Sequence, residues 1–189
     1  MSSNIFKLFI LFIASSLICE AEPEKKKILL GEIKANIDPR TNRYTELLLE
    51  EGKKNQYDII IIEMDTYGGA VNDADDIRTR ILDYDKPIYV WVNKDAASAG
   101  ALISIACDSI YMSSGASIGA ATVVTGDGEQ APDKYQSYMR SIMRSTAEAK
   151  GRDPKIAEGM VDEDLQVDSV SQEGKVITFS TNEAIKFGF

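Results

Sequence analysis

The chain has 189 residues, with 21 basic and 30 acidic side chains, a formal net charge of −9 and no histidine. This length predicts one domain. The absence of histidine excludes Ser-His-Asp and Cys-His catalysis and every metal site that needs a histidine ligand. A net-acidic chain is poorly suited to binding phosphate backbones, so we expect no nucleic-acid partner. We also expect neither a metal nor a cofactor.

Residues 1–21 have the pattern of a secretory signal peptide. Lys7 is followed by an apolar run of 11 residues, 8–18, which is too short to cross a bilayer as a helix. Cys19 and Ala21 supply the small residues that a signal peptidase requires. We therefore predict export, with cleavage after Ala21 and a folded domain over 22–189. An uncleaved anchor or a buried apolar arm is the alternative.

Cleavage at that point would leave Cys107 as the only cysteine, so no internal disulfide can form. Cys107 ends an apolar run, which predicts a buried and unreactive thiol.

Apolar runs of strand length alternate with stretches of helical spacing. The predicted strands are 28–33, 57–65, 87–92, 109–112 and 175–180. The predicted helices are one from Asp38-Pro39, 71–85, 98–107, 134–151, 154–160 and one from Thr181. The four Ile of the second strand predict burial on both faces. This alternation predicts an α/β fold with right-handed crossovers and a mainly parallel sheet flanked by helices.

Ligands of such folds bind at the loops that follow the strands. The loops here are DTYGG, 65–69, and NKDAASAG, 93–100. We call the first of them, which contains Gly68 and Gly69, the Gly loop. We expect Asp65 to cap the helix predicted at 71–85 rather than to orient the Gly loop. The small-residue segment 115–124 suits a close backbone approach, and the polar segment 125–133 is predicted to be mobile.

Ser98 lies where a predicted strand ends and a helix begins. A serine in that place is commonly an N-cap. The unpaired N–H groups of the first helical turn can instead stabilise an oxyanion if the hydroxyl attacks a carbonyl. Gly68 and Gly69 follow the neighbouring strand, where they form either an ordinary turn or a second outward-pointing N–H donor.

Without histidine, the base for a serine nucleophile would have to be a desolvated lysine. Lys134 begins a predicted amphipathic helix, and a helix N-terminus disfavours a cation. Lys94, four residues before Ser98, is a competing base. A solvated surface charge is the alternative for any one lysine.

Segments 60–81, 87–124 and 134–162 resemble the NfeD-type membrane-associated serine proteases, relatives of ClpP and of signal peptide peptidase. The motifs D-T-x-G-G, A-S-A-G and I-G-A-A carry the resemblance, which extends over 28–189. It implies a ClpP/crotonase-like fold and a serine endopeptidase with Ser98 as nucleophile and Lys134 as base. The oxyanion donors would be the N–H groups of Gly69 and Ala99. The substrate would be a hydrophobic segment of a stomatin-like membrane protein.

The resemblance also implies how substrate and partners bind. An extended peptide would add beside Ala70 and Val71 and beside 120–124, and the implied contact residues are Gly68, Ala70, Val71, Ala120, Ala121 and Thr122. Family members form dimers or larger homo-oligomers, and membrane attachment would lie outside this chain, which we expect to be a fragment of an exported protein. Tyr67 departs from the family, which often has proline there, and the charged NKDAA segment is also unusual.

Two other functions remain open at this point. A non-catalytic scaffold of the same fold would bind hydrophobic peptide segments without cleaving them. An acyl-CoA enzyme would use the same pair of amides, but no basic patch lies near the Gly loops and export makes CoA unavailable. Because a Gly-rich loop precedes Lys134, we also hypothesise that the base is out of place when no substrate is bound.

Overall fold

The computed structural model describes residues 25–172 and 174–189, so the predicted signal peptide lies outside the described residues. The elements within those ranges alternate between strand and helix for most of the chain. In chain order they are β1 (Ile28–Ile33), α1 (Pro39–Lys54), β2 (Ile59–Thr66), α2 (Val71–Leu82), β3 (Ile88–Ala97), α3 (Ala99–Ala106), β4 (Ser109–Met112), β5 (Ser117–Gly119), α4 (Asp133–Ala149), α5 (Pro154–Gly159), β6 (Thr178–Ser180) and α6 (Thr181–Phe187).

The strands form one mainly parallel sheet in the order β1-β2-β3-β5-β6, with β4 also paired to β3. Only the β5–β6 pair is antiparallel among the described strands. The predicted α/β class with a mainly parallel sheet is confirmed.

β3 is longer than the sequence predicted. Its first half pairs with β4, and Asp95, Ala96 and Ala97 then pair with β5, a strand that the sequence reading missed. The Ser117 hydroxyl donates to the Asp95 carboxylate over 2.6 Å, which ties the two strands together. Segment 93–97 was predicted as a loop, and it is strand because β5 offers a second pairing partner. Ser98 therefore follows directly on a paired strand.

The sheet is covered by helices on one face and half exposed on the other. Ile60, Ile62 and Met64 of β2 are fully buried beneath the helices, whereas Ile61 between them is only half-buried and Trp91 of β3 is 40% exposed. The predicted burial of β2 on both faces is therefore wrong, because no helix in the described part of the chain covers the second face. We call this second face the open face.

Caps explain where several helices begin. The Asp38 carboxylate accepts from the amides of Arg40 and Thr41 and starts α1. Ser180 and Glu183 form a reciprocal capping box on α6. Helix α2 begins after Ala70 without any side-chain cap, so the prediction that Asp65 caps it is wrong. Asp65 belongs to β2, at a half-buried position before the Gly loop.

Helix α3 lies in the centre of the core, and all eight of its residues are buried. Cys107, which follows it, is also fully buried, and burial raises the pKa of its thiol to about 12. The predicted burial of Cys107 is confirmed, and the raised pKa disfavours the reactive thiolate form. None of the helices in 25–172 and 174–189 combines the length and apolar character needed to cross a membrane.

Candidate active site

Ser98 is held in a backbone conformation that few residues other than glycine adopt. It joins β3 to α3 with φ 54° and ψ −117°, and its side chain makes no capping hydrogen bond. The ordinary N-cap interpretation of Ser98 is therefore wrong. Such a conformation costs about 1–3 kcal/mol and persists only where the surroundings impose it. Here the Ser98 amide donates to the Gly119 carbonyl over 2.8 Å, which anchors the turn to β5.

The half-buried Ser98 side chain borders a cavity of about 550 Å³. Its hydroxyl has no hydrogen-bond partner among the residues that the structure describes, so it is available to a ligand. All the residues around this cavity are uncharged: Tyr67, Gly69, Ala70, Val71, Ser98, Ala120, Thr122, Val123, Val124 and Val176. We call it the Ser98 cavity. A larger cavity of about 680 Å³ lies on the open face, away from Ser98.

The Gly loop lies directly against the serine. Gly68 has φ 114°, and a Cβ built on it would be 2.7 Å from the Ser98 Cβ. Ile37 donates to the Gly68 carbonyl over 2.9 Å, and Ala70 donates to the Ile37 carbonyl over 2.8 Å. These bonds leave the Gly69 amide without an acceptor among the described residues, and Gly69 borders the Ser98 cavity.

Thr66 holds the Gly loop from beneath, a role that the sequence reading missed. It is 3% exposed, and its hydroxyl donates to the Ala35 carbonyl over 2.7 Å and accepts from the Gly68 amide over 3.1 Å. The sequence feature that could have indicated this role is the threonine of D-T-x-G-G, which directly precedes the two glycines. A buried hydroxyl that is fully paired fixes the loop in one conformation.

The far wall of the Ser98 cavity begins after β5. Ala121 does not border the cavity: it is fully buried, and its amide donates to the Met160 carbonyl over 2.6 Å. Gln136 occupies both backbone groups of Val123, donating to its carbonyl over 2.7 Å and accepting from its amide over 3.0 Å. In the described part of the chain, the amides of Thr122 and Val124 remain without a hydrogen-bond acceptor.

Lys134 lies outside the lining of the Ser98 cavity. It is exposed in the first turn of α4, and its ammonium is 4.7 Å from the centroid of the Tyr135 ring. No hydrogen bond within the described ranges joins it to Ser98. Gln136, two residues later, ties the start of α4 to Val123 in the cavity wall. Lys134 is therefore within one helical turn of a residue that binds the cavity wall.

The structure brings most of the predicted site residues together around the Ser98 cavity, but Lys134 does not border that cavity. Gly68 packs against Ser98, and the predicted residues that line the cavity are Ser98, Gly69, Ala70, Val71, Ala120 and Thr122. Ala99 occupies the first position of α3, behind the serine, and is buried. Lys94, the competing base, is exposed in β3 and does not border the cavity either.

Residues 28–189 match the NfeD1b N-terminal domain family. The chain belongs to this family. Among its relatives, membrane protein NfeD1b of Bacillus subtilis is 34% identical over 170 residues, which are 89% of this chain and 39% of that protein. Membrane-bound protease PH1510 of Pyrococcus horikoshii is 28% identical over 189 residues, 96% of this chain and 39% of that protein. The chain thus spans about two fifths of the length of these relatives.

Solved structures extend the family relation to the fold. A membrane-bound stomatin-specific protease, 1510-N, in a variant with one serine replaced by alanine, superposes with a TM-score of 0.73 at 28% identity, covering 87% of this chain and 77% of that chain. A second variant, with a lysine replaced by alanine and a substrate peptide bound, gives 0.75 at 28% identity over 87% and 74%. ClpP1 of Listeria monocytogenes gives 0.62 at 20% identity over 85% and 86%, which shows the fold alone. The ClpP-like fold of this NfeD1b domain is confirmed.

Proposed function

We propose that this NfeD1b N-terminal domain is a serine endopeptidase that uses Ser98 and Lys134 as a dyad. The observation that carries the proposal is Ser98 itself: its hydroxyl is unpaired in a strained strand-to-helix turn, beside the Gly loop and at the edge of an uncharged cavity. A strained strand-to-helix turn also presents the nucleophilic serine of α/β-hydrolases. The two solved 1510-N variants, one at a serine and one at a lysine, support the same pair of residue types.

The reaction begins when the neutral amine of Lys134 accepts the Ser98 proton and Oγ bonds to the carbonyl carbon of the peptide. The N–H groups of Gly69 and Ala99 stabilise the resulting oxyanion. The C–N bond then breaks, Lys134 returns the proton to the leaving amine, and an ester remains on Ser98. A water molecule then attacks the ester carbonyl carbon and gives a proton to Lys134. The bond between that carbon and Oγ breaks, Lys134 returns the proton to Oγ, and the acyl half of the peptide leaves with a new C-terminal carboxyl group.

The free backbone groups of the cavity support binding of the peptide as an added strand. Gly69, Thr122 and Val124 all border the cavity, and the amides of Thr122 and Val124, two residues apart, have no acceptor among the described residues. We propose that the peptide lies between Ala70-Val71 and the wall that contains Thr122 and Val124. The Ala121 amide already donates to the Met160 carbonyl, so it is not free to bind the peptide. Ala121 contributes only to the shape of the wall.

The chemistry of the lining supports a hydrophobic substrate. No charged residue borders the Ser98 cavity, and four of its residues are valines. A charged peptide side chain would lose hydration there without gaining a partner. We propose hydrophobic segments of membrane-associated, stomatin-like proteins as substrates, in line with the stomatin-specific relative.

We also propose that the chain forms a homo-oligomer on the exported side of a membrane, with membrane attachment through parts outside this chain. Two relatives are named as membrane proteins, which supports the attachment. The exposed side chains of Leu30, Trp91 and Tyr111 on the open face support association between copies.

Replacement of Gly69 by alanine should lower kcat/KM for peptide cleavage by about 10²–10³-fold, the usual effect of losing one oxyanion donor. The new Cβ would lie 2.1 Å from the Ile37 carbonyl oxygen, so the loop must shift and move its amide. The control is Gly126→Ala, because a Cβ there meets nothing within 4 Å. Wild-type cleavage by a folded Gly69→Ala protein, with folding checked by circular dichroism, would remove Gly69 from the mechanism.

The direct test is digestion of a pool of hydrophobic peptides by the wild-type chain, read by mass spectrometry, with a serine-acylating fluorophosphonate as an active-site label. We expect cleavage at apolar residues and a label on Ser98. Peptide binding without cleavage or labelling would overturn the proposal and support the scaffold, the second candidate, which the position of Lys134 outside the cavity lining favours.

A further inference from the structure

Tyr67 is an exposed aromatic side chain on a rigid support. It is 83% exposed, the largest value among the exposed large apolar residues of the described chain, and it borders the Ser98 cavity. Its neighbours Thr66 and Gly68 are both fixed by hydrogen bonds to each other and to Ala35 and Ile37. The backbone therefore presents the ring at the mouth of the cavity at a low cost in conformational entropy.

Other exposed tyrosines have an intramolecular partner, and Tyr67 has none within the described ranges. The Tyr44 hydroxyl accepts from the Glu32 amide, and the Tyr138 hydroxyl donates to Asp75. Tyr111 packs edge-on against Tyr89. A structural role in the folded chain therefore explains those side chains but leaves the ring of Tyr67 unexplained.

Val124 borders the same cavity and is 58% exposed. It follows β5, whereas Tyr67 follows β2, and these strands lie on either side of β3, which ends at Ser98. We propose that Tyr67 and Val124 form an apolar subsite that holds one large apolar side chain of the bound peptide beside the scissile bond. The inference rests on the proposed function. Tyr67 is two residues from Gly69, and Val124 is two residues from Thr122, so both flank the backbone groups that would bind the peptide. Tyrosine is suited to this role because it buries a large area while losing only two rotatable bonds.

The size of the Tyr67 side chain is what this subsite depends on. A small side chain at position 67 would leave that side of the cavity mouth open, whereas the tyrosine ring extends the apolar wall outward. We therefore expect discrimination between large and small apolar side chains at one peptide position, with little effect at the others.

The test measures binding in the Ser98→Ala background, so that it does not depend on cleavage. Fluorescein-labelled peptides carry Phe, Leu, Ala or Asp at the position before the scissile bond, or, if nothing is cleaved, at each position of a bound peptide in turn. Adding Tyr67→Ala should raise the Kd of the Phe peptide by roughly 3- to 10-fold, the range of aromatic contacts. The Ala peptide should change less than about twofold, and Tyr67→Phe should bind as the parent does.

Ile185→Ala is the matched control, since Ile185 is 75% exposed and lies on α6 away from the cavity lining. Equal weakening of the Phe and Ala peptides by Tyr67→Ala, weakening of the same size by Ile185→Ala, or no weakening at all would overturn the subsite. Peptide-selective binding by a wild-type chain that never cleaves would keep the subsite and overturn only the proposed peptidase.

Discussion

Replacement of Ser98 by alanine is expected to lower kcat for peptide hydrolysis by about 10⁴-fold or more, the usual cost of removing a catalytic nucleophile. The variant loses only Oγ, which makes no hydrogen bond with the described residues, so the fold should not change. Peptide affinity should remain close to that of the wild type, because the cavity walls and the backbone donors are intact. Cleavage is measured by mass spectrometry and affinity by fluorescence anisotropy.

Ser141→Ala serves as the control for this variant. Ser141 is an exposed serine on α4 that does not border the Ser98 cavity, so its replacement should leave cleavage unchanged. Residual hydrolysis by Ser98→Ala at more than about one per cent of the wild-type rate would assign the activity to another nucleophile or to a contaminating protease.

Replacement of Lys134 by alanine should have a comparably large effect on kcat, because the chain has no histidine to take over the proton. Lys134 does not border the Ser98 cavity and its ammonium lies over Tyr135, so we expect the side chain to move when the peptide binds. We therefore expect KM to change little while kcat falls by about 10³–10⁴-fold. The measurement is a steady-state assay with one peptide from the digest.

Lys94→Ala separates the two candidate bases. Both lysines are exposed, and neither borders the Ser98 cavity, so each substitution removes one exposed positive charge from outside the cavity lining. Loss of activity in Lys94→Ala with full activity in Lys134→Ala would reverse the assignment. In the expected result, a crystal structure with a bound peptide would show Lys134 Nζ within hydrogen-bond distance of Ser98 Oγ.

If Lys134 is the base, its place outside the lining of the Ser98 cavity predicts an inactive arrangement before substrate binds. Gln136 fixes the start of α4 to Val123, and Val123 lies in the wall along which the peptide would pair. A peptide that adds beside Thr122 and Val124 would therefore pull on the same segment that carries Lys134. We therefore expect this contact to link substrate binding to placement of the base, and we expect peptides that do not fill the cavity to be poor substrates even where they contain a cleavable bond.

The sequence predicted the element types well and their ends less well. Apolar runs of strand length and apolar residues at helical spacing identify strands and helices locally, and their alternation predicted the parallel sheet. β5 was missed because its three residues, Ser117 to Gly119, have no periodicity of their own and form a strand only by pairing with β3 and β6. The prediction that Asp65 caps α2 was wrong because Gly68 and Gly69 lie between that residue and the start of the helix.

By itself, the sequence determined the α/β class, the buried thiol of Cys107, the family and the identities of the candidate dyad residues, since each depends on residue types and their order along the chain. Only the tertiary structure decided that Ser98 has a strained backbone, that Thr66 fixes the Gly loop, that Ala121 faces the core and that Lys134 lies outside the cavity lining. Those properties depend on hydrogen bonds between residues that are far apart in the chain, such as Thr66 with Ala35 and Gln136 with Val123. Spacing within a sequence does not specify which distant groups meet, and the packing of the folded chain does.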